Sequence, residues 1–282
     1  MEYATAVGLF YFAAALAAAR LTGAPALTPF TAIGVVTVFL VFLHLRLMDE
    51  IKDATHDARH FPDRAVPRGL ITLSEVRVIG TVVIAAELLL NALLPPPALV
   101  AFVAVLAFTF LMYREFFAGT SLRANFLVYT LVHMPVLPLL ALYAYATVLD
   151  GAGVVAAPFV LFIAASYAGG LILEIARKVH APGAEPPGVY TYSKHLGIAG
   201  VTGLLLGLDL AQVAFAIALG GTLGLGAGFA AGVVMIGGAT AVALARFGTR
   251  PTERLASLLE RAILPASVLG PYAILIAAVA RG

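Results

Sequence analysis

The stretch that decides both fold and function is 46–72, which reads RLMDEIKDATHDARHFPDRAVPRGLIT. It gathers acids, bases and histidines in a chain that is otherwise almost entirely apolar. Asp49, Asp53 and Asp57 recur at intervals of four, with Glu50 beside the first. On a helix this spacing stacks the carboxylates on one face, where like charges repel. A hard divalent cation such as magnesium turns that repulsion into binding, so the row predicts a metal site.

The surrounding chain has the composition of a helical integral membrane protein. Only 11% of its 282 residues are charged and its mean hydropathy is +1.02, whereas soluble domains have roughly 25% charged residues. Apolar runs recur at about 20 residues, the length that a helix needs to cross a bilayer. The absence of cysteine excludes disulfides, thiolate metal ligands and cysteine nucleophiles.

We therefore predict an all-α polytopic membrane protein, with nine transmembrane helices in one bundle and a polar cytoplasmic cap. Residues 1–282 are expected to form a single domain, because no soluble segment or long linker interrupts the apolar runs. The predicted spans are 3–19, 30–49, 73–94, 97–113, 125–148, 153–175, 196–219, 222–245 and 256–280.

The basic residues predict the orientation of this bundle. All Lys and Arg residues except Arg20 and Arg281 lie at or beside the even-numbered loops. By the positive-inside rule, the N-terminus and the even loops are cytoplasmic and the C-terminus lies outside. The Ala- and Arg-rich composition indicates a bacterial plasma (inner) membrane. A polar cap on one side suits an enzyme with one water-soluble and one lipid-soluble reactant, whereas a transporter needs polar groups on both sides.

The second loop also contains the bases needed to hold a diphosphate. Arg64 and Arg68 follow the aspartates, and Arg46 and Lys52 accompany them. Arginine binds phosphate through two parallel hydrogen bonds, and magnesium bridges phosphate oxygens to carboxylates. An ordinary membrane-entry turn is the alternative reading of the Pro-Arg-Gly segment at 67–69.

The fourth loop adds candidate substrate-binding residues, namely Tyr113, Arg114 and Arg123. Alternatively, Arg114 and Glu115 form a local ion pair at a helix end. His133, within the fifth predicted span, is expected to bond across helices.

The sixth loop begins with Glu174 at the membrane boundary, where an acid is costly unless it has a partner or a ligand. Arg177 and Lys178 lie three and four residues further on, so a purely structural ion pair is an alternative. The same loop supplies further candidates for substrate binding, namely Arg177, Tyr190, Tyr192 and Lys194.

The nine spans, the aspartate row and the polar sixth loop resemble the UbiA superfamily of intramembrane prenyltransferases. That family's first motif is Asn-Asp-x-x-Asp-x-x-x-Asp, and residues 49–57 read DEIKDATHD, which keeps an oxygen ligand at all four positions. Residues 64–69 resemble the family's Arg-Pro-Leu-x-x-Gly segment. The second motif, Asp-x-x-x-Asp, is changed, because Glu174 keeps one acid and Lys178 replaces the other. The family's Tyr-x-x-x-Lys is also incomplete, since Phe117 follows Tyr113 at that spacing.

The resemblance implies Mg²⁺-dependent transfer of a polyprenyl group from a prenyl diphosphate to an aromatic or anionic small-molecule acceptor, with release of diphosphate. The implied metal ligands are Asp49, Glu50, Asp53, Asp57 and Glu174. Catalytic roles are implied for Asp53, Asp57, Glu174 and Lys178, and Lys178 is expected to contact either the diphosphate or an anionic acceptor. The expected partners are the donor, the acceptor and membrane lipid, with no nucleic acid. Such a reaction belongs to lipid or quinone biosynthesis.

Two other functions remain open at this point. The aspartate row is also suited to a divalent-cation or small-solute transporter, although only Asp150 and Asp209 stand out as acids on the outer half. A catalytically lapsed lipid-binding relative is the second alternative, suggested by Lys178 in place of an acid. CDP-alcohol phosphotransfer is set aside, because its Asp-Gly-x-x-Ala-Arg pattern is absent.

Overall fold

The structure, a computed structural model, describes residues 2–149 and 153–281, and within these ranges every regular element is helical. Asp150 therefore lies outside the described residues. The α-helices are α1 (Glu2–Thr22), α2 (Pro29–Lys52), α3 (Ala54–His60), α4 (Leu73–Asn91), α5 (Pro96–Tyr113), α6 (Gly119–Ala124), α7 (Phe126–His133), α8 (Val136–Ala146), α9 (Phe159–Ala176), α10 (Tyr192–Thr222), α11 (Gly226–Thr249), α12 (Glu253–Leu258) and α13 (Leu264–Val279). A 3₁₀ turn (Glu115–Phe117) follows α5, and a π-helical turn (Leu259–Ile263) joins α12 to α13.

Threonines set where several of these helices begin. Thr28, Thr72, Thr191 and Thr252 each have extended backbone and accept a hydrogen bond from the backbone N–H three residues further on. This side-chain bond satisfies a donor that the first turn of a helix leaves unpaired. The residue at which each of these helices begins is therefore determined by its local sequence.

The number of spans differs by one from the prediction. Among the described residues, eight helices are long and apolar enough to cross a membrane. The remaining predicted span, 73–94, forms α4, but this helix contains Glu75, Arg77 and Glu87. The fifth predicted span is broken into α7 and α8 at Met134 and Pro135. Proline interrupts a helix because it lacks an N–H and clashes with the preceding turn.

The helices form one bundle around a shared apolar core. Helix α2 packs against α4, α9 against α10, and α10 against α11. The first and last long helices, α1 and α13, also pack together and close the bundle. Large aromatic side chains fill the centre, with Tyr11, Tyr143, Phe159 and Phe162 at most 1% exposed. This rigid apolar body positions the polar loops.

The even-numbered loops meet at one end of the bundle. Gly188 of the sixth loop lies against the ring of His60 in α3, where an added Cβ would be 3.5 Å from Cε1. The backbone N–H of Ala181 donates to Oε2 of Glu253 in α12 at 3.3 Å. At the other end, Nε of Arg20 donates to the carbonyl of Leu223 at 3.5 Å, which joins the first loop to the seventh. The structure thus gathers most of the basic residues at one end.

A buried hydrogen-bonded pair connects the two helices that flank the aspartate loop. Nδ1 of His44 on α2 lies 2.6 Å from Oε1 of Glu87 on α4, with side chains 1% and 0% exposed. One turn further along α4, the amide of Asn91 donates to Thr37 on α2 at 3.0 Å. These contacts fix α4 on α2 and thereby hold both ends of the second loop.

Candidate functional site

The aspartate row lies where α2 passes into α3. Asp53 caps α2 with φ −96° and ψ 7°, which breaks the helix for one residue. The helical hydrogen-bonding pattern nevertheless continues, from the N–H of Asp53 to the carbonyl of Asp49 (2.9 Å) and from Asp57 to Asp53 (2.8 Å). The three aspartates therefore keep their four-residue spacing, and burial increases along the row from the exposed Asp49 to the buried Asp57.

Nearby bases of the chain already pair with most of these acids. The ion pairs join Asp49 to Lys52 (3.2 Å), Asp57 to Arg64 (2.5 Å) and Glu50 to Arg46. Asp57 is buried, and the guanidinium of Arg64 also lies 4.4 Å from the ring centre of Phe61. Three of the four bases predicted to bind the diphosphate are thus paired with nearby acids, namely Arg46, Lys52 and Arg64.

The donor set of this row fits a hard divalent ion by its chemistry. Carboxylate oxygens are the ligands that magnesium prefers. Oε2 of Glu50 is buried without a hydrogen-bond partner in the described part of the chain, so it has an unused ligand atom. Within residues 2–149 and 153–281, however, no three histidine or acidic side chains converge as a ready-made metal site. Binding a metal here requires side chains to leave their ion pairs.

Helix α7 lies against this row. Nζ of Lys52 donates to the phenol oxygen of Tyr129 at 3.3 Å. The Tyr129 ring stacks on His133, with ring centres 3.9 Å apart and planes 17° apart. Nδ1 of His133 binds the carbonyl of Tyr129 at 2.7 Å, so the expected bond across helices is instead a bond within α7. Nε2 of His133 is buried without a partner among the described residues.

A strained turn lies against the other side of His133. Glu115, Phe116 and Phe117 have φ values of +48°, +52° and +58°. The left-handed region costs about 1–2 kcal/mol for each residue that has a Cβ. The turn places the Phe116 ring edge-on to His133, with ring centres 5.4 Å apart. Backbone strain of this kind is often found at functional sites.

The sixth loop forms the second half of the polar end. Nζ of Lys178 donates to Oε1 of Glu174 at 2.8 Å, and Arg177 binds the other carboxylate oxygen. The same Nζ lies 5.0 Å from the ring centre of Phe126 on α7. The phenol of the buried Tyr192 bonds Thr130 on α7 at 2.5 Å. The two halves of the polar end therefore contact the same helix.

The remaining predicted residues lie further from these contacts. Tyr113 ends α5, and Arg114 lies 5.5 Å from the ring centre of the exposed Phe117. Three more of the predicted residues have exposed side chains, namely Arg68, Tyr190 and Lys194. Arg123 is part of α6, but its side chain lies outside the described part of the structure.

The position of α7 between the two halves of the polar end was not predicted from the sequence. Phe126, Tyr129 and Thr130 stand in an apolar run, where aromatic residues and threonine usually indicate helix packing. The one available signal was the short spacing between these residues, which places them within about one turn of helix.

Comparison with solved structures decides the fold. The apo structure of a UbiA homolog from Aeropyrum pernix K1 matches with a TM-score of 0.70, covering 97% of this chain and 96% of that chain at 19% identity. The fold is that of a UbiA homolog. The predicted resemblance is thereby confirmed at the level of the fold. No protein-family model matches the sequence, and no curated protein matches it significantly.

Proposed function

We propose that this chain transfers a polyprenyl group from a prenyl diphosphate to a small-molecule acceptor at the cytoplasmic face of a plasma membrane. The carbon–oxygen bond of the donor breaks and its electron pair leaves with the diphosphate. A nucleophilic atom of the acceptor then bonds to the allylic carbon, and the acceptor loses a proton. The UbiA fold and the polar end of the bundle support this proposal.

The observation that carries the proposal is the shared contact of two lysines with α7. Lys52 binds Tyr129, and Lys178 lies over Phe126, three positions earlier on the same helix. Residues three apart are neighbours on a helix surface. A diphosphate at this helix would meet cations from both halves of the polar end, which would stabilise its negative charge as it departs.

The acids of the second loop would hold the magnesium ion of this reaction. Asp49, Glu50 and Asp53 offer carboxylate oxygens next to Lys52. When bound, magnesium supplies a Lewis acid that neutralises charge on the leaving diphosphate. Asp57 would act from behind this row by orienting Arg64, to which it is bonded at 2.5 Å.

The apolar body below the lysines suits the prenyl chain and the cation left after diphosphate departs. An allylic cation survives only where water is excluded. Leu, Val, Ala and aromatic side chains line the described core.

A transfer assay with matched variants tests the proposal. Purified protein in detergent receives geranylgeranyl diphosphate and magnesium, with 4-hydroxybenzoate or glycerol phosphate as acceptor, and prenylated products are detected by mass spectrometry. Asp53→Asn should abolish product, whereas Asp63→Asn, an exposed acid in the same loop, should not.

Two outcomes would favour the other functions. Donor binding without product from any acceptor, in the wild type and both variants alike, would indicate a lapsed lipid-binding relative. Divalent-ion flux into liposomes that depends on Asp53 would indicate a transporter. Either result would contradict prenyl transfer.

A further inference from the structure

Both carboxylate oxygens of Glu174 already accept a hydrogen bond from a base of the chain. Lys178 binds Oε1 at 2.8 Å and Arg177 binds Oε2, while the carboxylate side chain is only 13% exposed. Two bases share this single acid, whereas each paired acid of the second loop has one base, so a divalent cation here would meet a surplus of positive charge. The residues at this end of the site therefore do not fit a divalent ion.

The same three residues do fit an anion. One negative and two positive side chains leave the group with a net positive charge. The ammonium of Lys178 has three donor hydrogens, and Glu174 accepts one of them. The Phe126 ring, 5.0 Å from Nζ, further restricts where the ammonium can lie. Lys178 therefore keeps donor hydrogens beyond its bond to Glu174, and its ammonium lies against α7, the helix that Lys52 also contacts.

We infer that Lys178 takes the place of a second divalent ion and binds the diphosphate directly. This inference rests on the proposed function, since it concerns how the donor of that reaction is held. Magnesium on the second-loop acids would bind one side of the diphosphate, and the ammonium of Lys178 the other. Donor binding would then require one divalent ion.

Counting bound metal ions tests this inference without any need for turnover. The probe is geranylgeranyl thiolodiphosphate, a donor analogue whose carbon–sulfur bond resists cleavage, together with Mn²⁺ as a paramagnetic substitute for Mg²⁺. Calorimetry gives the affinity of the probe, and electron paramagnetic resonance counts Mn²⁺ per protein. We expect the wild type to bind one Mn²⁺ with the probe.

Two variants of Lys178 sharpen the test. Lys178→Asp replaces the ammonium with a carboxylate next to Glu174, and it should bind a second Mn²⁺ with the probe. Lys178→Gln should weaken probe binding about tenfold to hundredfold, as expected for losing a hydrogen bond to a charged group. Arg254→Asp, at an exposed base on α12, is the matched control and should leave both the metal count and the affinity unchanged.

The possible contrary results point to different errors. Two Mn²⁺ ions in the wild-type complex, or unchanged affinity in Lys178→Gln, would overturn the role of Lys178 and leave prenyl transfer standing. Failure of the wild type to bind the probe at any Mn²⁺ concentration would overturn the proposed function, and this inference with it. Thermal unfolding of each variant confirms that the compared proteins are folded.

Discussion

The ammonium of Lys52 lies 3.3 Å from the phenol oxygen of Tyr129, which follows it by 77 residues. This contact joins the end of α2, with its row of acids, to the helix that also meets Lys178. Two cations from distant loops are thereby held against one surface. The arrangement depends on a tyrosine with no obvious chemical role in the sequence.

Removing that phenol oxygen should weaken donor binding. In Tyr129→Phe, Lys52 keeps its ion pair with Asp49 but loses the bond that holds it towards α7. We expect the Kd for geranylgeranyl diphosphate to rise about three- to tenfold, the equivalent of one hydrogen bond. Calorimetry measures the change. Tyr272→Phe, which removes a phenol bonded to Ser166, is the control and should bind normally. Equal affinities in all three proteins would contradict this role of Tyr129.

The ring of His133 should matter more for stability than its nitrogen atoms. His133→Phe keeps the stack on Tyr129, loses the bond from Nδ1 to the Tyr129 carbonyl, and removes a buried Nε2 that has no partner among the described residues. We expect its apparent Tm to stay close to that of the wild type. His133→Ala removes the ring and should cost about 3 kcal/mol, as for other truncations of buried rings. Equal losses in thermal unfolding of the two variants would show that the imidazole nitrogens matter more.

The left-handed turn after α5 predicts an unusual response to glycine. Phe117 has φ +58° and Phe110 lies within α5, although both side chains are largely exposed, at 70% and 50%. Glycine relieves strain only at Phe117. Phe117→Gly should therefore cost about 1–2 kcal/mol less than Phe110→Gly in unfolding experiments. If the two substitutions cost the same, the turn is not strained.

The buried pair between α2 and α4 should be sensitive to single replacements. Glu87→Leu leaves His44 buried without its hydrogen-bond partner, and we expect a loss of about 1–3 kcal/mol. The double variant His44→Leu with Glu87→Leu removes both polar groups and should recover most of that stability, since replacing both partners of a buried hydrogen bond with apolar groups is often nearly neutral. Thermal unfolding of the single and double variants measures the coupling. A double variant that is less stable than Glu87→Leu would contradict this account.

Much of the fold could be predicted because the bilayer imposes simple rules on the sequence. Apolar runs marked the spans. The difference of one span concerns α4, which was predicted as a span but contains three charged residues. One of these residues, Glu87, is fully buried against His44 of α2. Hydropathy alone cannot show that a polar side chain has a partner on another helix.

The candidate site could be predicted only where chemistry is concentrated in sequence. The acids from Asp49 to Asp57 and the group at Glu174 were visible from their spacing. The helix that joins them was not, because Tyr129 and Phe126 acquire their roles only when the bundle brings Lys52 and Lys178 to them. The left-handed turn at Phe116 was also hidden, since it contains no glycine.

The most direct test of prenyl-diphosphate binding is a calorimetric titration with geranylgeranyl diphosphate, performed once with magnesium and once with a chelator. The account predicts saturable binding that requires magnesium and disappears in Asp53→Asn. Asp63→Asn should behave as the wild type does. Absence of binding under every metal condition, or equal binding with chelator and in Asp53→Asn, would contradict the central claim.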